Sequence, residues 1–246
     1  MNKKIKKILL KKNRSKIVSL TAYSKNTAKI LDNYCDIILV GDSMANVLYG
    51  QENTHKLTLE NIIQHTLSVK KGVNKSLLVV DMPKGSYKNI KIAKKNAKSI
   101  MNFTGSDAVK IESNKKNFEI IKELVKINIP VMGHIGYTPQ FKKKFKIEGN
   151  TLVKSKQLLK EALLIQESGA FSIVLECIEP NTSKLITKNL KIPTIGIGSS
   201  SYCDGQILET DDKLELSGFY PKFVKKYANL NRIIEKDEKK YSKEVK

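Results

Sequence analysis

The sequence is poor in several residues whose absence is informative. In 246 residues there is no tryptophan, and there are only 3 cysteines and 6 prolines. Cys35, Cys177 and Cys203 are odd in number, far apart and without a CxxC spacing. That excludes a disulfide-stapled scaffold and suits small buried thiols in a reducing, cytoplasmic compartment. No uninterrupted apolar run approaches the ~20 residues of a membrane span, so no membrane partner is expected. The 13 glycines and the lack of sustained heptads exclude collagen and coiled coil. Acidic residues are scarce beside basic ones, 24 against 45, for a formal charge of +21. Such a charge raises nucleic acid as a partner. Yet 43 of the 45 basic residues are lysine, Arg14 and Arg232 being the arginines. Arginine, with its planar fork, is the usual reader of bases and phosphates. The lysines are spread along the whole chain and read as solvated faces, so no nucleic-acid partner is expected.

What the chain does have is a regular alternation. Nearly continuous apolar runs of strand length fall at 16–23 (KIVSLTAY), 36–42 (DIILVGD), 76–83 (SLLVVDMP) and 108–113 (AVKIES). Others follow at 130–136 (PVMGHIG), 172–177 (SIVLEC) and 193–199 (PTIGIGS), with a short eighth near 205–209. Runs of this kind mark strands buried on both faces of a parallel sheet. Helix-period stretches separate them at 25–33, 58–71, 89–103, 117–128, 155–168 and 180–189, and a final helix is predicted at 222–239, fraying from Glu235. Eight such units in one domain, spanning 1–246, predict a (β/α)₈ TIM barrel. A doubly wound open sheet shares the same periodicity. The basic N-terminus has an apolar run of only Ile8, Leu9 and Leu10, too short for a signal peptide. It reads as a short capping helix, with an organellar presequence as the other reading.

In a barrel, chemistry sits at the C-terminal ends of the strands. Here those ends are polar. Run two ends in Gly41, Asp42 and Ser43, run three in Asp81 and run six in Glu176. Run four carries Lys110 and Glu112 two residues apart, on one side of the sheet, and run five carries His134. One strand-end Asp is often only a helix N-cap. Lys110, Glu112 and His134, however, lie inside their strands, where caps do not occur. Asp42, Asp81 and Glu112 are hard oxygen donors without a cysteine partner, a set that favours Mg²⁺ completed by water and substrate oxygens. The plainer reading of the three is an ion-pair network with Lys110, and that of His134 a satisfied core histidine. As a site, the set gives Lys110 to the carboxylate of an anionic substrate, His134 to a developing oxyanion and Glu176 to the role of general base. The reaction class is proton abstraction next to a carbonyl, with Mg²⁺ stabilising the enolate.

Longer motifs run through these positions: LVGDSMANVLYG at 39–50, VVDMPKGSY at 79–87, GSDAVKIE at 105–112 and PVMGHIGYTPQ at 130–140. VLECI at 174–178 and IPTIGIGSSSYCDGQIL at 192–208 continue the series. From about 16 to 223 the sequence resembles the ketopantoate hydroxymethyltransferase family. The resemblance implies a (β/α)₈ barrel that moves a hydroxymethyl group from 5,10-methylenetetrahydrofolate to 3-methyl-2-oxobutanoate, giving 2-dehydropantoate for pantothenate and coenzyme A. It implies Mg²⁺ at Asp42, Asp81 and Glu112, the ketoacid at Asp42, Ser43, Asp81, Lys110 and His134, and Glu176 as catalytic base. It also implies a homo-oligomer, in the family a decamer of stacked pentamers. A second Mg²⁺-dependent α-ketoacid enzyme on the same barrel, a lyase or mutase, shares the acidic site. A basic nucleic-acid-associated barrel is the reading from another class. The chain departs from the family pattern at Ser24, Ala45 and Ser200, and in the lysine-rich loop 141–150.

Overall fold

The apolar runs become eight parallel strands among the described residues, closed into a barrel in chain order. They are β1 (Ile17–Thr21), β2 (Ile37–Val40), β3 (Leu77–Asp81), β4 (Ala108–Glu112), β5 (Val131–Gly136), β6 (Ser172–Glu176), β7 (Thr194–Ile197) and β8 (Gly205–Leu208). β8 pairs with β1, so no sheet edge is left and the open-sheet alternative falls away. The computed structural model describes residues 2–113, 117–142, 145–218 and 220–246; Lys143 and Lys144 of the lysine-rich loop lie outside the described residues.

The helices are α1 (Lys3–Leu10), α2 (Lys25–Leu31), α3 (Met44–Val47), α4 (Leu59–Lys70), α5 (Ile90–Thr104), α6 (Phe118–Lys126), α7 (Leu152–Glu167), α8 (Pro180–Asn189), α9 (Thr210–Lys213) and α10 (Leu230–Val245). Their ends follow local chemistry. Asn89 caps the first turn of α5 through its side chain, and Gly105 ends that helix in the left-handed region. Thr58 and Asn61 form a reciprocal capping pair at α4. Two apolar layers result. One lies between strands and helices, with Ile38, Val40, Val80, Ile111 and Leu175 facing Ile62, Ile100, Ile121 and Ile165. The other fills the barrel, with Ile37, Leu77, Val79, Met132, Val174 and Ile195, and is closed by Ile5 and Ile8 of α1. The N-terminal segment is therefore a helix capping the barrel floor. Asn2 holds it to Asp107, and Lys4 to the carbonyl of Ser76.

Acids at the floor have a repeating structural task. Asp36, Asp107 and Asp204 each stand one residue before β2, β4 or β8. Each accepts a backbone N–H from the odd-numbered neighbour: Val18, Leu78 and Thr194 respectively. Acids at the opposite end of the strands add a buried lysine and a side-chain amide to such backbone partners.

The last helix departs from expectation, because it starts at Leu230 and continues to Val245. The stretch before it is drawn out by docking. The ring of Phe223 packs on Gly198, and the N–H groups of Tyr227 and Leu230 donate to Lys213 and Leu214. Asn229 then caps the helix, and ion pairs Lys239–Glu235 and Lys240–Glu244 brace the part expected to fray.

Candidate active site

Strand register assembles the site. Asp81 on β3 lies beside Lys110 on β4, and Glu112 on β4 beside His134 on β5. Gly136 on β5 lies beside Glu176 on β6. At Gly136 the backbone has φ of +97°, and a Cβ would stand 2.1 Å from the carbonyl oxygen of Glu176. Glycine there lets β5 press against the strand that ends in the acid. Cys177 follows Glu176 at φ 51°, a left-handed turn that takes the chain out of the barrel immediately after it.

The side chains then join into one network. Lys110 Nζ donates to Asp81 Oδ1 at 2.5 Å, and the Asp42 N–H donates to Asp81 Oδ2 at 3.0 Å. Gln140 ties further members together. Its Nε2 donates to Asp42 Oδ2 at 2.8 Å and to the Met82 carbonyl at 3.0 Å, while its N–H donates to Glu112 Oε2 at 3.0 Å. Tyr87 Oη in turn donates to Gln140 Oε1 at 2.5 Å. His134 Nε2 stands 3.2 Å from Glu176 Oε2, and Nδ1 stands 3.8 Å from Glu112 Oε1. Neither approach has hydrogen-bond geometry. Both ring nitrogens of His134 and Glu112 Oε1 are buried with no hydrogen-bond partner among the described residues. Buried polar atoms are nearly always satisfied, so three orphans at one spot mark a place where a ligand binds. Glu176 keeps 16% of its side chain exposed, against 3% for Asp81, so it is the carboxylate that reaches the mouth.

Burial and crowding of like charge set the electrostatics. Burial, then the neighbouring Asp81, pushes Asp42 up to about 7. Burial and the Asp42 charge hold Glu112 well above the usual carboxylate range. Burial pushes Glu176 up to about 8, with Lys110 pulling the other way. For Lys110, burial works against the charge, but Asp81, Asp42 and Glu112 outweigh it and hold the ammonium above its ordinary pKa. Burial, then Lys110, keeps His134 well below its ordinary value, so the imidazole is neutral.

Six of the seven sequence-predicted residues thus converge: Asp42, Asp81, Lys110, Glu112, His134 and Glu176. The seventh, Ser43, is at the edge, its hydroxyl turned toward Glu209 just beyond β8. Gln140, Tyr87, Tyr23 and Glu209 were not singled out from sequence. The first three lie within the quoted motifs or the LTAY run. Glu209 lies at the end of the eighth apolar run, the position that marked the other acids.

The donor set suits a hard divalent cation. Four carboxylates surround Lys110, one of them with an orphaned buried oxygen, and all are oxygen donors. Among the described residues no group of three or more His, Cys, Asp or Glu side chains is placed to hold a metal by itself. Mg²⁺ does not need one, since it is commonly held by one or two carboxylates with water and substrate oxygens. The residues present fit that mode.

Comparison with known proteins agrees with this geometry. The family model described as Ketopantoate hydroxymethyltransferase matches residues 2–246. A 3-methyl-2-oxobutanoate hydroxymethyltransferase of Pelagibacter ubique is 50% identical over 245 residues, covering 100% of this chain and 95% of that protein. The Anaplasma marginale (strain St. Maries) protein of the same name is 46% identical over 230 residues, covering 92% and 83%. Among solved structures, 2,3-dimethylmalate lyase superposes with a TM-score of 0.65 at 13% identity, covering 98% of this chain and 86% of that one. Phosphonopyruvate hydrolase in complex with oxalate and Mg²⁺ superposes at 0.63 with 11% identity, covering 84% and 80%, a likeness of fold. With a family model matched along its length and relatives near half identical, the chain belongs to the ketopantoate hydroxymethyltransferase family of transferases.

Proposed function

We propose that this chain transfers a hydroxymethyl group from 5,10-methylenetetrahydrofolate to 3-methyl-2-oxobutanoate, giving 2-dehydropantoate for pantothenate synthesis. The observation that carries the reading is the set of buried orphans, His134 and Glu112 Oε1, beside Glu176 at the mouth end of the barrel. Asp42 and Asp81, with Glu112 behind them, would hold Mg²⁺, which supplies a Lewis acid for the keto and carboxylate oxygens of the substrate. Lys110 adds a fixed positive charge for the substrate carboxylate. Neutral His134 offers an N–H to the keto oxygen as negative charge grows there. Glu176, made more basic by burial, takes the C3 proton. The donor opens to an iminium ion as one of the two C–N bonds of its methylene carbon breaks, and the electron pair left on C3 bonds to that carbon. Water then displaces the remaining nitrogen, its hydroxyl staying on the carbon while protons go to the two freed nitrogens, and tetrahydrofolate leaves.

We also infer a homo-oligomer in a cytoplasmic setting. Ile233, Ile234, Tyr241 and Val245 expose an apolar stripe on α10 that a second copy would cover, and the three thiols are free and buried. No helix among the described residues is long and apolar enough to cross a membrane. The test is a product assay. 2-Dehydropantoate should form only with ketoacid, methylenetetrahydrofolate and Mg²⁺ together, and chelation should stop it. Consumption of the ketoacid without the folate would favour a lyase or mutase instead.

A further inference from the structure

At the seam where β8 closes on β1 stands an acid that the proposed chemistry does not use. Glu209 sits just past β8 and is held by hydroxyl groups. Thr21 Oγ1 donates to its Oε2 at 2.8 Å, and Tyr23 Oη reaches both carboxylate oxygens at 2.9 Å. Ser43 donates to Oε1 in a very short hydrogen bond, with Tyr23 Oη 3.0 Å from Ser43 Oγ. The donors come from three places: Thr21 from β1, Tyr23 from the turn after it, and Ser43 from the loop after β2. Thr210, next to Glu209, strengthens the seam by donating its N–H to Thr21 Oγ1 and its hydroxyl to the Thr21 carbonyl. A carboxylate can accept several donors at once, whereas a neutral acid must spend one oxygen on its own proton. Burial pushes Glu209 up to about 7 while the three hydroxyls pull it down.

The loop after β2 is thus held from both sides. The Asp42 N–H ties it to Asp81 on β3, and the Ser43 hydroxyl ties it to Glu209 on the β8 side. The only proton on the Ser43 hydroxyl is committed to Glu209, which leaves the backbone N–H as the Ser43 donor for a bound anion. We infer that Glu209 is a positioning residue for the ketoacid pocket, fixing the Asp42–Ser43 loop by taking the Ser43 hydroxyl proton. This rests on the reading of Asp42 and Ser43 as the border of that pocket.

The test is a double-mutant cycle of Glu209→Gln and Ser43→Ala in the full chain with Mg²⁺. It reads the KM for 3-methyl-2-oxobutanoate and the rate of C3-proton exchange, with thermal unfolding alongside. Glutamine keeps the shape but cannot accept all three donors. Glu209→Gln should raise KM about tenfold, the scale of one lost charge-assisted hydrogen bond, and change the exchange rate at saturation less. In the Ser43→Ala background it should add nothing. Tyr23→Phe, which keeps the ring, should raise KM in the same Ser43-dependent way and serves if Glu209→Gln does not fold. An unchanged KM, or an equal effect with and without Ser43, overturns the inference. If the wild-type chain neither binds nor exchanges the ketoacid, it is the functional reading that fails.

Discussion

Lys110 shows how this site is made at the level of single residues. An ammonium inside a barrel is costly to desolvate, and it stays charged because Asp81, Asp42 and Glu112 surround it. The dependence is mutual. Lys110→Met would remove the charge and leave Asp81 and its neighbours buried without their cation. The expected loss is about 3–5 kcal/mol in urea unfolding at neutral pH. A variant as stable as the wild type would mean that water or another group already compensates the carboxylates. The same chemistry explains why Lys110 and Glu112 were legible in the sequence: ionisable residues inside an apolar strand are not helix caps and need partners within the barrel. Gln140 and Tyr87 carry no charge at neutral pH. Their importance depends on the chain after β5 folding back so that the Gln140 amide meets Asp42 and Glu112. Periodicity holds no information about that return.

Among the elements, strands and their intervening helices were visible because each obeys one local rule. Apolar runs marked β1 to β8 to within a few residues, and 3.6-residue periodicity marked α4 and α5. The start of α10 was not visible. It is decided by Phe223 packing on Gly198 and by the Tyr227 and Leu230 N–H groups donating to the Lys213 and Leu214 carbonyls, contacts between segments distant in sequence or in separate elements. Acids also divide by element end. At the floor they hold backbone N–H groups, and Asp32, at the C-terminal end of α2, is the fullest case. Its carboxylate accepts N–H donors from Asn74, Lys75 and Ser76, which lead into β3. Burial acts to raise its pKa, but these donors outweigh burial and lower it. A carboxylate with a depressed pKa in the fold contributes stability above its unfolded value of about 3.9 and loses it as pH falls through the folded value. Asp32→Asn should therefore cost about 1–3 kcal/mol at pH 7, and the gap to wild type should close in acid. Urea unfolding at pH 7 and pH 3 checks this, and a gap that is constant with pH would contradict it.

Over the whole molecule, the barrel separates stability from chemistry along its axis. Ile5 and Ile8 plug one end, where Asp36, Asp107 and Asp204 pin strands to their neighbours. At the other end lie acids raised in pKa, a paired lysine and an imidazole with orphaned nitrogens. The large positive charge plays no part in that division, because most lysines lie on solvated faces while Lys110 is buried in the site. The central claim is that Glu176 takes the C3 proton of a ketoacid held by its neighbours. It is tested most directly by NMR of 3-methyl-2-oxobutanoate in D₂O with Mg²⁺ and without folate. The wild-type chain should replace the C3 proton with deuterium, while Glu176→Gln should bind the ketoacid with nearly unchanged affinity and exchange nothing above background. Exchange by Glu176→Gln at the wild-type rate would contradict the account.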